Sequence, residues 1–396
     1  MSEHTEITGE LLLERVRALG PALVARRAQT EAEGAIPAET IAEMQDAGLF
    51  RVLQPKRWGG YELHPNVYFD IEIELARYCP STAWVYGVIA VHAWQLAVFS
   101  DAAQQEVWSK DTSVLISSSY MPVGKVEHVE GGFMLSGRWG FSSGSNHCDW
   151  VFLGAFAPPK EEGQRPDMRT FLVPRGDYRV ETNWDVSGLR GTASNDIVID
   201  PPVFVPEHRT HRFADGFKCD NPGNALNTAP LYRIPFGQLF TRSVSTSAIG
   251  MLEGAIDVFM ETQSKRVARG DGRKVAGDPS VLRALAEARA VARDLRVVLH
   301  QNMNELMGYA ERGEVPSVEV RVGYRYDSAR GVERCRDAVM ELFAVAGGGA
   351  AWNTHPIQNF MQSLIVARQH HSNNPEKPAM NFGGVSIGAS TTDFFI

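Results

Sequence analysis

Along the first third of the chain, apolar residues recur every three or four positions, the spacing that buries one face of a helix. Residues 11–27 form one such run, Pro37-Ala38-Glu39-Thr40 carries the signature of a helix start, and residues 68–78 repeat the pattern. Pro80-Ser81-Thr82 then opens a stretch that is apolar on every side from Ala83 to Phe99, interrupted by His92 and Gln95. It falls short of the ~20 residues a membrane span needs, and it predicts a helix buried all round. Near Ser117 the period changes. Between Val123 and Val205, short alternating runs punctuated by Gly and Pro predict strands at 126–129, 133–136, 150–156, 171–173 and 197–199. A loop rich in Asn, Pro and Gly is expected over 215–227. Helical spacing then returns: Val281, Leu285, Ala288, Ala292, Leu295 and Leu299 make one stripe, and Val332, Cys335, Val339, Leu342 and Ala346 a second. Residues 378–396 are expected to form an irregular arm.

This order predicts an α+β protein in three units: an N-terminal helical domain (1–119), a central β domain with a barrel or sheet (120–225), and a C-terminal four-helix bundle with a tail (226–396). A chain of 396 residues, 44% hydrophobic and 22% charged, can bury a core of that size. Its formal charge of -8 and pI near 5.8 offer no basic footprint for nucleic acid or an anionic membrane, and point to a small organic substrate. Cys79, Cys148, Cys219 and Cys335 stand far apart with no CxxC pair, which fits a reducing cytoplasm. The polar, acidic start ahead of Leu11-Leu12-Leu13 has the wrong charge order for a secretory signal.

Several local stretches carry a resemblance. Leu53-Gln54-Pro55 with Trp58-Gly59-Gly60, Trp139-Gly140-Phe141-Ser142-Ser143-Gly144, and Gly188-Leu189-Arg190-Gly191-Thr192-Ala193-Ser194 resemble the loop after the third helix, the flavin-facing strand and the turn before the last strands of the acyl-CoA dehydrogenase superfamily. Ser117-Ser118-Ser119-Tyr120, Glu106-Val107-Trp108 and His370 resemble its flavin monooxygenase branch, especially the oxygenases of secosteroid phenols and of 4-hydroxyphenylacetate. A dehydrogenase of this fold mounts a Glu that removes a proton beside a thioester. Here no Asp or Glu lies between Asp220 and Glu253 or between Glu341 and Glu376, and His370-His371 stand where that acid would be.

The resemblance implies the oxygenase component of a two-component monooxygenase. Reduced FMN or FAD, supplied by a separate NAD(P)H-dependent reductase, would react with O2 to a C4a-hydroperoxide that hydroxylates a phenol ortho to its OH. It also implies a homotetramer or dimer, and it matches residues to roles. His370 would activate the phenol, His92 and Ser118 would line the substrate pocket, and Ser143 would bond flavin N5. Ser142 and Trp139 flank it on the flavin-facing strand, and Gly347 and Gly348 would approach the flavin's phosphates, often from a neighbouring subunit. Transfer from a phenol near ~10 to an imidazole near ~6.5 is uphill by about 5 kcal/mol, so the site must supply further stabilisation.

Plainer readings stand beside these. His92 also fits a core imidazole on a backbone carbonyl, Ser118 a backbone-bonded serine, Ser143 a turn residue, and His370-His371 helix caps. Gly347-Gly348-Gly349 is also an ordinary helix stop, and Arg266 and Arg269 could reach phosphate or face solvent. His208 and His211 lack the partners of a metal site. The relatives' C-terminal helix carries an Asp and a His where this chain has Ser363 and Ile365, and residues 391–396 also differ. Rival readings are an FAD-dependent acyl-CoA dehydrogenase, a flavin oxygenase acting on nitrogen or sulfur, and a relative retained only for binding.

Overall fold

The computed structural model describes residues 7–396 except 160, 162, 164, 268–271, 273, 274 and 392. Arg269 lies outside the described residues. Helices open the chain: α1 (Gly9–Glu33), α2 (Ala38–Asp46), α3 (Pro65–Tyr78), α4 (Pro80–Val98) and α5 (Asp101–Trp108). Their starts follow the local chemistry. The Thr8 side chain accepts from the Leu11 N–H at α1, Pro80 occupies the first turn of α4, and Ser100 caps α5. As its apolar run predicts, α4 is buried along almost its whole length, His92 and Gln95 included.

Among the described residues seven strands follow: β1 (Ile116–Val129), β2 (Gly132–Ser142), β3 (Trp150–Ala157), β4 (Asp167–Pro174), β5 (Arg179–Glu181), β6 (Asn195–Pro206) and β7 (Thr210–Arg212). They run in the order β5-β6-β2-β1-β3-β4-β7, and every pair is antiparallel except β1 with β3. The register of β1 slips between Ser119 and Gly124, so its first half faces α4 and its second half joins the β core. That core includes Phe133, Leu135, Trp139, Val151, Leu153, Phe171 and Ile197.

The rest is helical: α6 (Phe213–Lys218), α7 (Phe236–Ser243), α8 (Ser247–Lys265), α9 (Pro279–Glu311), α10 (Val318–Ala346), α11 (Pro356–Ala367) and α12 (Glu376–Ser386). Helices α8 to α11 pack as a bundle, with α3 against α8. Both expected stripes face its core, with Leu285 only partly buried. A helical unit, a sheet and a helical bundle thus follow one another in the order that the sequence predicts.

Two expectations are corrected. The loop expected over 215–227 begins with α6, and the irregular arm from 378 is helical to Ser386. Pro378 sits in the first turn of α12, where its missing N–H costs no helical bond, and Asn374 Oδ1 accepts from the Glu376 N–H. Past α12 the chain folds back. Phe395 packs against Phe213, Phe236 and Phe240, and Ile396 is buried. No described helix is long and apolar enough to cross a membrane, and all four cysteines are unpaired thiols.

Candidate active site

Trp84, in the first half of α4, joins two distant parts of the sequence. Its indole N–H donates to Ser143 Oγ at 3.1 Å, and its ring stands edge-on to His370, 5.7 Å between centroids. Ser143 lies in the turn after β2, and His370 just beyond α11. A Cβ on Gly144 would come within 2.7 Å of Val85 and 2.8 Å of Ile89, so glycine lets this turn dock directly on α4, at a φ of 68° that glycine adopts without penalty.

From Ser143 a line of hydroxyls runs inward. Ser143 Oγ lies 2.7 Å from Ser194 Oγ, Ser194 Oγ lies 2.7 Å from Thr192 Oγ1, and Thr192 donates to the Leu189 carbonyl at 2.9 Å. The turn that presents them is strained. Leu189 and Ala193 hold φ values of 53° and 44°, Phe141 beside Ser143 holds 64°, and such conformations cost non-glycine residues on the order of 1 kcal/mol each. Helix α11 braces the turn: the Leu189 N–H donates to Ser363 Oγ at 3.3 Å, and Gly188 packs on the backbone at Gln362 and Ser363. Ser363 thus holds the turn in place.

Eight residues beyond Trp84, roughly 12 Å along α4, lies His92. Its Nδ1–H donates to the Ile116 carbonyl at 2.6 Å, because a carbonyl can only accept. That fixes the tautomer with a bare lone pair on Nε2, which is buried without a partner. Burial pulls the His92 pKa down to about 4, against the Ile116 hydrogen bond. Tyr120 stands 6.3 Å away in ring separation, donates its hydroxyl to the Gln95 side-chain Oε1 and lies within hydrogen-bonding reach of Ser118. The Gln95 Nε2 is also buried without a partner.

His370 has the opposite polarity. It caps the turn His371–Asn373, its Nδ1 accepting from the Ser372 N–H at 3.2 Å. The neutral ring therefore carries its proton on Nε2 and is a donor there. Burial, with His371 and Arg325 nearby, pulls its pKa down to about 4. With phenol near ~10, complete proton transfer to either ring would be uphill by about 8 kcal/mol, more than the sequence alone suggested. These imidazoles are hydrogen-bonding groups before they are bases.

The structure thus brings Ser143 and His370 together through Trp84, and gathers His92 and Ser118 around Tyr120. Other candidates fall elsewhere. Trp139 is buried in the β core and donates to the Gly154 carbonyl at 2.8 Å. Ser142 is buried beside Ser143, its hydroxyl unpartnered. Gly347 and Gly348 lie before α11 and His370 after it, a separation of roughly 18 Å for twelve helical residues. Arg266 lies over Gly347 and donates to Gln263 and to the Val345 carbonyl, closing the end of α10. Among the described residues no cluster of His, Cys, Asp or Glu could hold a metal ion. The buried acid Glu72 accepts from the Ser247 N–H at the start of α8, and burial raises its pKa well above the carboxylate range. No hydrogen bond joins it to Trp84, Ser143 or His370.

Sequence reasoning passed over Trp84, Thr192 and Ser194. Thr192 and Ser194 lie inside the Gly188–Ser194 stretch, and Trp84 lies in the apolar helix α4, which carries a second indole in Trp94.

Models of the acyl-CoA dehydrogenase N-terminal and C-terminal domains match residues 8–112 and 243–375. Over 385 residues, 97% of this chain and 100% of the relative, the sequence is 37% identical to the flavin-dependent monooxygenase oxygenase subunit HsaA of Rhodococcus jostii (strain RHA1). The chain belongs to the flavin-dependent monooxygenases of the acyl-CoA dehydrogenase fold. Within this family it is also 30% identical over 390 residues, 95% of this chain and 94% of the relative, to the FADH(2)-dependent resorcinol hydroxylase oxygenase component of Rhizobium sp. (strain MTP-10005). The crystal structure of 3-HSA hydroxylase from Rhodococcus sp. RHA1 superposes with a TM-score of 0.93 at 37% identity, covering 98% of this chain and 99% of that one. The site suits the flavin of such a monooxygenase. A hydroxyl held by Trp84, an unpartnered Ser142 hydroxyl and the Nε2–H of His370 are groups that a flavin edge can pair with.

Proposed function

We propose that this chain is the oxygenase component of a two-component system that hydroxylates a bulky phenol ortho to its OH, with secosteroid-like phenols the leading class. The observation that carries the reading is the pair of imidazoles of opposite polarity: the bare Nε2 lone pair of His92 and the Nε2–H of His370. Reduced FMN or FAD and O2 supply the electrophilic oxygen. Ser143 would bond flavin N5, with Ser142 beside it. The substrate hydroxyl would donate to His92 Nε2, with Ser118 and Tyr120 shaping the pocket. His370 would hold a developing negative charge by donation, which strengthens as charge accumulates. A phenol hydroxyl fits His92 because it satisfies an acceptor that the free chain leaves unmet. The low-dielectric surroundings favour the polarised phenol–imidazole pair and exclude water.

The missing acid speaks against dehydrogenation, since the buried carboxyls Glu72 and Glu74 are engaged elsewhere, Glu72 by the Ser247 N–H at the start of α8 and Glu74 by the Tyr78 hydroxyl. In keeping with the resemblance, a second copy in a homotetramer or dimer would bring its Gly347 and Gly348 to the phosphates. A separate NAD(P)H-dependent reductase in the cytoplasm, in keeping with the four unpaired thiols, would supply the reduced flavin.

The test mixes anaerobic protein and photoreduced FMN or FAD with ¹⁸O2 and a panel of phenols. Formation of a catechol carrying one labelled oxygen, coupled to oxygen use, is expected. A purified protein with tightly held FAD that acyl-CoA bleaches would overturn the reading.

A further inference from the structure

The hydroxyl line behind Ser143 has a direction. At one end is the Trp84 indole, which can only donate, and at the other the Leu189 carbonyl, which can only accept. Thr192 has one proton, and in the bond to Leu189 it is spent. Ser194 must then donate to Thr192, and Ser143 to Ser194. Ser143 is left with no proton for anything else. One of its lone pairs takes the Trp84 N–H, and the other is free.

The opposite direction, with Thr192 donating to Ser194 and Ser194 to Ser143, would turn the Ser143 proton outward. The Leu189 carbonyl would keep the Trp184 indole N–H at 2.9 Å and the Thr192 N–H at 3.2 Å, but the line would lose its last hydrogen bond. The first direction makes one more bond within the protein, and the strained turn from Leu189 to Ala193 holds both hydroxyls in place for it.

We propose that Thr192 and Ser194 are positioning residues that aim the Ser143 proton away from the flavin, so that Ser143 offers a lone pair and thereby selects the reduced cofactor. This rests on the flavin monooxygenase reading above. Reduced flavin carries an N–H at N5, whereas oxidised flavin carries only a lone pair there. A hydroxyl that can only accept pairs with the first and repels the second. Nothing in this role requires Thr192 or Ser194 to touch the flavin.

The experiment measures the dissociation constants of oxidised flavin and of anaerobic, photoreduced flavin, using FMN and FAD in turn, for wild type and variants. Wild type should bind the reduced form more tightly. In Thr192→Val, Ser194 loses its acceptor and must donate to Ser143, whose proton then turns outward. The ratio of oxidised to reduced dissociation constants should fall about tenfold, by weakening the reduced form and strengthening the oxidised one. Ser194→Ala should move the ratio the same way by a smaller factor, and Thr192→Ser should keep the wild-type ratio. A merely structural role would weaken both forms together. An unchanged ratio in both Thr192→Val and Ser194→Ala, with wild type binding flavin, overturns the relay alone. A wild-type protein that binds neither form overturns the functional reading and the relay with it. Should Thr192→Val fail to fold, Ser194→Ala against Thr192→Ser decides.

Discussion

The two poles of the site are built in different ways. On the helical side, the pole at His92 leaves polar atoms unmet: His92 Nε2 and Gln95 Nε2 are buried with no partner. On the sheet side, Ser143, Ser194 and Thr192 bond one another, and the cost is carried by the backbone, in the left-handed residues Phe141, Leu189 and Ala193. A buried polar atom without a partner costs about 1–3 kcal/mol, which a ligand can recover on binding. The hydroxyls of Ser143, Ser194 and Thr192 are already bonded on folding, and the strained turn behind them offers a fixed geometry. The helical pole is therefore suited to be completed by a substrate, and the sheet pole to hold something of constant shape.

Changing pH should have the largest effect, because it acts on the imidazoles of the site and leaves the hydroxyl line behind Ser143 untouched. His92 and His370, and likewise His211 on β7, are held at about 4 by burial, below their unfolded value near ~6.5. Between these values the unfolded chain binds more protons than the folded one. Stability should thus fall as pH drops from about 6.5 to about 4, by on the order of 3 kcal/mol for each ring. Glu72 works in the other direction, since its raised folded pKa means that acidification toward ~4.5 relieves its burial. Urea midpoints across this range should decline in wild type and more steeply in Glu72→Gln. A flat profile in both would show that the imidazoles are not held neutral by the fold.

Next in size, His370→Ala should slow hydroxylation about 100-fold while oxygen consumption continues as H2O2 release. Equal slowing of oxygen consumption and hydroxylation would remove the imidazole N–H from the chemistry. On the sheet side, Gly144→Ala should cost about 2 kcal/mol in urea unfolding, because the new methyl meets Val85 and Ile89 at a left-handed φ, and flavin affinity should fall as the turn lifts from α4. Wild-type flavin affinity in this variant would mean that the turn does not place the cofactor. The smallest effect is expected from Ser143→Ala: flavin still binds, and the yield of hydroxylated product per O2 falls about tenfold. Unchanged coupling there would leave Ser143 a turn residue.

Much of the fold was legible because its signals are local and periodic. The apolar run from Ala83 to Phe99, the alternation after Ser117 and the stripes in α9 and α10 each need only one element to be read. The start of α12 was missed because Pro378 looks like a helix breaker until it is placed in the first turn. His92, Ser118, Ser143 and His370 stood out through resemblance, and their residue types limit what they can do. Their polarity did not stand out, since a histidine's tautomer is set by its partner, and the Ile116 carbonyl and the Ser372 N–H become partners only when the chain is folded. Trp84, Thr192 and Ser194 were hidden for the same reason: 59 residues separate Trp84 from Ser143 and 51 separate Ser143 from Ser194.

The amino-acid sequence by itself determined the order of helices and strands, the absence of acids from two stretches near the site, and the presence of imidazole and hydroxyl chemistry. Periodicity and composition are properties of neighbouring residues, so they survive without a fold. Only the tertiary structure decided which imidazole offers a lone pair and which a proton, and which hydroxyl stands behind Ser143. Hydrogen-bond direction depends on what lies opposite each atom, and at this site what lies opposite comes from another part of the chain.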